Sequence, residues 1–335
     1  MLDCAMAAPT MRACVLEAAN AQPRIVDAPR PTIGPSDVLV RVAASSVNPH
    51  EAHVISGSAR AYLEYQFPIT LGNDFAGVVV EVGSDVTCVE PGDDVFGVSL
   101  EPVAHRGTFA EYAAIQERFV TTRPANVDEL EAAVLGLAAI AAIVCVDAVD
   151  PTPGEIVLIN GATGGVGSYA TQIAGASLAC VIATARPGAE ERYVRGLGAT
   201  ETIDWTAGDV AATVHRRHEH GIDGLIDLIN ADPARFACLA TRVLNQGGRA
   251  VSTLGAADPG RSAGRSVANV FAAPDRAQLD RIAVLAGTGV LRGRPSEIYG
   301  LEQIQDALAA LSDGAVGKIA IRIADLAGPT GEDIG

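Results

Sequence analysis

The chain is nearly without lysine: of its 24 basic residues only Lys318 is one, and the rest are arginine. So complete a replacement, in a sequence rich in alanine and glycine, reads as a coding bias. A position that keeps lysine against that bias either needs an ammonium group or kept it by chance. Basic charge is short as a whole. Set against 40 acidic residues it leaves a formal net charge of −16, and a phosphate backbone would be repelled, so no nucleic-acid partner is expected. Cysteine is sparse and unpatterned: six residues, Cys4, Cys14, Cys88, Cys145, Cys180 and Cys238, show no CxxC spacing. That argues against a disulfide framework or a cysteine zinc site and for buried thiols in a reducing cytoplasm. No apolar run approaches the length needed to span a bilayer, so no membrane is expected. The opening MLDCAMAAPT lacks both the basic and the long apolar part of a signal peptide and reads as an extension over residues 1–10. Internal repeats and low-complexity linkers are lacking too.

What is present suits two domains: 335 residues, 49% of them hydrophobic. The stretch from Glu155 to Arg186 organises the rest. Ile156 to Ile159 is a short apolar run suited to a strand covered on both faces, Val181 to Ala185 is a second, and Val166 to Ala176 between them reads as a helix. The turn into that helix holds Gly161, Gly164, Gly165 and Gly167. Glycines there let backbone approach a pyrophosphate without interference from a Cβ, and the first N–H groups of the helix face the anion. A glycine pattern alone also fits a tight α/β turn; strand, helix and second strand around it point to a dinucleotide site. At the end of the second strand, where an NAD-binding unit places a carboxylate, stand Thr184, Ala185 and Arg186. A guanidinium with no carboxylate on the strand end favours the 2′-phosphate of NADP. The competing readings are a solvated surface arginine and a phosphate site weakened by Glu190 and Glu191.

Before this stretch come short strands separated by Gly and Pro, at Met11–Glu17, Asp37–Ala43, Val78–Val82, after Glu90–Asp94, and at Gly107–Ala113, with a helix starting after Pro49. They indicate a compact, largely antiparallel β domain over 1–128. A helix is expected from Asp128 through an Ala- and Ile-rich run to Asp147. Strands and helices then alternate as in a doubly wound parallel sheet, giving a second domain over 129–274. Residues 275–335 add two helices and the strand Lys318–Ile323.

Across nearly all of the chain from Met11 this order resembles the medium-chain dehydrogenase/reductase superfamily, in particular its zinc-independent quinone oxidoreductase branch, which is similar to zeta-crystallin. The resemblance is carried by Val47-Asn48-Pro49, by Leu71 to Gly77, by Pro91 to Gly97, by Gly107 to Tyr112, by the glycine turn and by Gly317-Lys318. It implies a GroES-like, mainly antiparallel β catalytic domain formed by 1–128 with 275–335, a Rossmann domain, NADPH in the cleft, and a homodimer. Zinc-dependent relatives place a cysteine at Asn48 and a His-Glu pair at Asn73-Asp74; amides are poor zinc ligands, so no metal is expected. His215, His218 and His220 are expected to cover an exposed helix end.

By resemblance Asn48 lies near the nicotinamide and substrate, and His53 stands where relatives often have tyrosine; either His53 or the neighbouring His50 is a candidate proton donor, or a packing histidine. Asn48 and His53 are thus the catalytic candidates. The cofactor candidates are Asn48, Ile140, Thr163, Gly164, Gly165, Val166, Gly167, Arg186, Trp205, Asn230, Leu254, Phe271 and Lys318. Ile140 replaces a threonine common in relatives, which removes a hydroxyl from the nicotinamide end, and Glu190 replaces a lysine. The expected activity is NADPH-dependent reduction of a quinone or α,β-unsaturated carbonyl, an enoyl reductase chemistry without zinc. The alternatives are a non-redox lyase or cyclase of specialised metabolism, a binding protein on the same scaffold, or a zinc alcohol dehydrogenase.

Overall fold

Strand Asp37–Ser46 is buried at every position but Arg41, as its near-continuous apolar run requires. In the computed structural model, which describes residues 9–324, this strand is central to a seven-stranded sheet. The order is Val120–Thr122, Asp94–Val98, Asp74–Val82, Asp37–Ser46, Lys318–Arg322, Pro295–Gly300, with Tyr112–Gln116 also paired to Asp37–Ser46. Pairing is antiparallel throughout except between the last two strands, which run parallel. Ala320 lies opposite Ser46 and Arg322 opposite Ala44, which carries the start of the Lys318 strand alongside Val47 and Asn48. A smaller antiparallel sheet of Arg24–Pro29, Thr10–Leu16 and Ile69–Thr70 joins it. Helices Pro49–Ser56 and Ile304–Ser312 contribute Val54, Ile304 and Ala307 to a core with Leu16, Phe109 and Ile321. These elements belong to one of the two compact units of the chain, Met1–Leu137 with Pro274–Gly287 and Gly293–Gly335.

The other unit, Ala138–Ala273 with Thr288–Arg292, is built on a six-stranded sheet. Its order is Glu201–Ile203, Cys180–Thr184, Ile156–Asn160, Ile222–Asp227, Leu244–Ser252, Ser266–Asn269, and all pairs are parallel. Strand order reverses after Ile156–Asn160, and the carboxyl end of that strand is where open α/β sheets bind ligands. Leu158, Ile182, Leu225, Phe236 and Val243 form its core.

Several expectations are corrected. The single helix expected from Asp128 to Asp147 is two, Glu129–Ala133 and Gly136–Val149; the second starts where Asp74 Oδ1 accepts the Leu137 N–H at 2.7 Å. The strand expected at Gly107–Ala113 is Tyr112–Gln116, because Thr108 Oγ1 is drawn to the Asp74 carbonyl at 2.6 Å and only Ala110 bridges Ala13 before it. Arg24–Pro29 and Pro295–Gly300 are strands that sequence patterning did not indicate; neither has a buried position. Cys14 and Cys145 are buried as expected, whereas Cys88 is half-buried and Cys180 and Cys238 are exposed. Cys4 and nearly all of the expected extension lie outside the described residues. No helix among those described is long and apolar enough to cross a membrane.

Candidate active site

Asn48 is the N-cap of helix Pro49–Ser56, in extended backbone conformation, with Pro49 in the first turn. An asparagine there ordinarily turns its oxygen to the N–H groups of its own helix. This one turns away: Oδ1 accepts from Lys318 Nζ at 2.6 Å, and Nδ2 donates to Asp74 Oδ2 at 2.9 Å. The partners fix the amide's orientation, since an ammonium only donates and a carboxylate only accepts. Lys318 is 5% exposed and Asp74 fully buried, an arrangement that would cost several kcal/mol if either stood alone. Neither does. The ammonium's three hydrogens meet Val47 O at 2.9 Å, Asn48 Oδ1, and Asp74 Oδ2 at 3.3 Å. Asp74 Oδ2 also accepts from Ser46 Oγ at 2.5 Å, and Oδ1 takes the Leu137 N–H at the start of helix Gly136–Val149, a favoured place for a negative charge. Gly136 is forced at this point: a Cβ on it would sit 2.2 Å from Asp74 Oδ1.

With Asn48 turned away, Glu51 serves the helix start. Its Oε2 accepts the Asn48 backbone N–H at 2.6 Å, while Oε1, buried, has no hydrogen-bond partner. Burial pushes the Glu51 carboxyl up to about 8; the Asn48 N–H opposes this, the charge of Asp74 adds to it, and Lys318 opposes it. On the adjoining residue, His50 Nδ1 meets Asn73 Oδ1 at 2.8 Å, and Asn73 Nδ2 donates to Ser99 O at 2.7 Å. His50 and Glu51 both line a cavity of about 40 Å³. His53 is exposed and makes no hydrogen bond to Asn48, Asp74 or Lys318; its carbonyl accepts from Ser58 Oγ and Tyr65 Oη, each at 3.3 Å.

These donors do not fit zinc. Where a metal site needs thiolate, imidazole or free carboxylate, Asn48 offers an amide oxygen already held by an ammonium, and Asp74 Oδ2 already receives three donors. No group of three or more His, Cys, Asp or Glu is placed to hold a metal among the described residues.

In the second unit, Gly161 has φ +94°, and its N–H donates to Thr184 Oγ1 at 2.8 Å, so the neighbouring strand end pins the glycine turn. A Cβ on Gly167 would lie 2.2 Å from Gly161 O, which makes glycine obligatory for the close approach of helix to turn. Around Gly164 the space is open, with Gly161 O at 3.7 Å as the only neighbour of an added Cβ. Gly164 caps helix Gly165–Ala176 without a side-chain hydrogen bond, so Thr163, Gly164, Gly165 and Val166 present a backbone cradle to which a pyrophosphate fits. Arg186, 56% exposed, is held by Glu190: NH2 to Oε1 at 2.5 Å, Nε to Oε1 at 2.6 Å, and backbone N–H to Oε2 at 2.7 Å. Burial alone would raise the Glu190 pKa, but Arg186 and Trp205 hold it below the ordinary carboxylate range. The guanidinium lies 6.0 Å from the ring centre of Trp205, itself half-exposed. Asn230 Nδ2 donates to Asp227 Oδ2 at 2.7 Å at the end of its strand. Leu254 and Phe271 are large exposed apolar residues, and Ile140 is fully buried.

The cofactor candidates therefore divide between the units, Asn48 and Lys318 in the first and the remainder in the second. Ser46, Gly136 and Glu51 were not singled out from sequence, and Asp74 was named only for standing where zinc-dependent relatives place a ligand pair. The sole lysine was the usable signal, since a buried ammonium requires a carboxylate, and Asp74 stands in the Leu71 to Gly77 motif that carries the resemblance.

The alcohol dehydrogenase GroES-like domain family matches residues 34–125, and the zinc-binding dehydrogenase family matches residues 197–321. An alcohol dehydrogenase superfamily protein from Novosphingobium aromaticivorans is 31% identical, with 94% of this chain and all of that one covered at a TM-score of 0.83. The quinone oxidoreductase from Coxiella burnetii is 25% identical, with 94% and 100% covered at a TM-score of 0.82. In sequence, the chloroplastic NADPH-dependent alkenal/one oxidoreductase of Arabidopsis thaliana is 34% identical over 239 residues, 68% of this chain and 58% of that protein. The chain belongs to the medium-chain dehydrogenase/reductase superfamily. It spans about half the length of the curated relatives it matches.

Proposed function

We propose that the chain is an NADPH-dependent reductase of quinones or α,β-unsaturated carbonyl compounds that works without a metal. One observation carries this reading: the Asn48 amide is locked by Lys318 and Asp74 where zinc-dependent relatives place a thiolate. With its pyrophosphate held in the glycine cradle, the cofactor would supply a hydride from its nicotinamide. Hydride arrival leaves negative charge on the substrate oxygen, which requires a donor. Asn48 Nδ2 gives one hydrogen to Asp74; its second is the one we assign to that oxygen or to the ribose beside it. Lys318 holds the amide in this orientation and keeps positive charge nearby. The printed names of relatives support the substrate class, among them the alkenal/one oxidoreductase and a 2-methylene-furan-3-one reductase of Solanum lycopersicum.

For the 2′-phosphate we assign Arg186, which must exchange Glu190 for it. A homodimer and a reducing cytoplasmic setting complete the proposal; five free cysteines among the described residues support the latter. The test is NADPH consumption across a panel of quinones and enones, with metal analysis of the same sample. Turnover without stoichiometric zinc is the expected result. Cofactor binding without NADPH consumption across the whole panel would overturn the reductase and favour non-redox chemistry on the same scaffold.

A further inference from the structure

We infer that Glu51 is an internal proton store for the reduced substrate, refilled from solvent through the cavity it shares with His50. The inference rests on the reductase reading above and adds the source of the proton, which that reading leaves open.

Two hydrogen positions follow from partners alone. Ser99 O can only accept, so the Asn73 nitrogen faces it and the Asn73 oxygen faces His50. His50 Nδ1 therefore carries the hydrogen, and Nε2 is left with a lone pair. On Glu51, Oε2 receives the Asn48 N–H, so when the carboxyl is neutral its hydrogen sits on Oε1, the buried atom without a partner. Glu51 and His50 thus border one cavity, with room for roughly three waters. A donor this deeply buried with nothing in the protein to receive its hydrogen is unusual, and the lone pair of a cavity water would satisfy it.

The charged surroundings agree. Asp74 and Lys318 face Glu51 from their two strands with opposing effects, and burial outweighs both. His50 is lowered by burial and by His53 on its own helix, against the Asn73 hydrogen bond and Asp74. Glu101, His105 and Arg106 complete the ionisable lining of the cavity. Near neutral pH the acid is therefore loaded and the histidine neutral.

The step balances. A hydride brings two electrons and one hydrogen to the substrate, whose oxygen becomes anionic. The Glu51 Oε1–H bond breaks and, through cavity water, an O–H bond forms on that oxygen. The carboxylate left behind takes a proton from solvent, relayed at His50 Nε2. An acid whose pKa lies near the working pH suits this role better than an ordinary carboxyl.

Two measurements test it. Infrared spectra of the resting protein should show a protonated-carboxyl band at neutral pH that fades as pH rises through about 8 and is missing from Glu51→Gln. Identical spectra for wild type and variant at neutral pH would sink the proposal whether or not the chain reduces quinones. In kinetics, Glu51→Gln keeps the hydrogen bond to the Asn48 N–H and should bind NADPH with unchanged affinity. Its kcat should fall roughly a hundredfold, and it should lack the decline in kcat expected of wild type above pH about 8. Wild-type rates with an unchanged alkaline limb would overturn it. His50→Gln should be slowed and then rescued several-fold by added imidazole, and a lack of rescue would remove His50 from the relay. If no quinone or enone is reduced at all, the reductase reading fails while the infrared result still reports on the carboxyl.

Discussion

Two carboxyl groups, Asp74 and Glu51, are buried side by side in the β unit, and the fold treats them in opposite ways. Asp74 collects an ammonium, a hydroxyl and two N–H donors. Glu51 collects one backbone N–H and leaves an oxygen bare. The number of donors, more than depth, sets what a buried acid can do. Fully surrounded, it fixes other groups in place. Half surrounded, it is free to exchange a proton.

The comparison breaks hardest at the lysine. Lys318→Met should destabilise the protein by about 3–5 kcal/mol in chemical unfolding, because Asp74 is then a buried charge without its cation. Adding Asp74→Asn to it should restore part of that loss, and no recovery in the double variant would show that the pair does not act as a unit. Next comes the pH dependence of Glu51→Gln. A carboxyl raised from 4.5 to about 8 in the folded protein contributes stability that is complete below pH about 4.5 and lost as pH rises to about 8, since the unfolded chain ionises first. Relative to the variant, wild type should therefore weaken by roughly 4 kcal/mol between pH about 5 and 9, read from thermal unfolding at each pH. A pH-independent difference would mean that Glu51 is already ionised in the folded state.

Smaller is the expected cost of Gly136→Ala, about 1–3 kcal/mol, as the new methyl meets Asp74 Oδ1 and Val98. Alanine is the better helix former, so a stabilised variant would show that Asp74 can withdraw from the helix start. Smallest is the effect at a third carboxylate, Glu190, whose partner lies at the surface. Glu190→Gln should tighten NADPH binding by roughly three- to tenfold without altering NADH binding, read by fluorescence titration, and Arg186→Ala should reverse the preference. Equal changes for both cofactors would separate the pair from the 2′-phosphate.

Legibility in the sequence followed the distance between interacting residues. The glycine turn was readable because strand, turn and helix are consecutive from Ile156 to Ala176. The end of the helix expected from Asp128 was not, because a carboxylate more than sixty residues earlier decides where the second helix begins. Lys318 drew notice through its rarity, yet its partners Val47 and Asn48 lie about 270 positions away, and only sheet pairing brings them together. Motif resemblance bridged that distance for Asn48 and Lys318 without revealing their contact. Glu51 escaped notice because an acidic residue three places after an asparagine reads as an ordinary helix start.

A chain with one ε-amine, wrapped on all sides, carries its own reporter. Apart from the α-amino group, an amine-selective reagent finds no amine to modify until the strand that begins at Lys318 detaches. The mass increment gained over time would therefore clock the opening of that single strand, free of background from any other ε-amine.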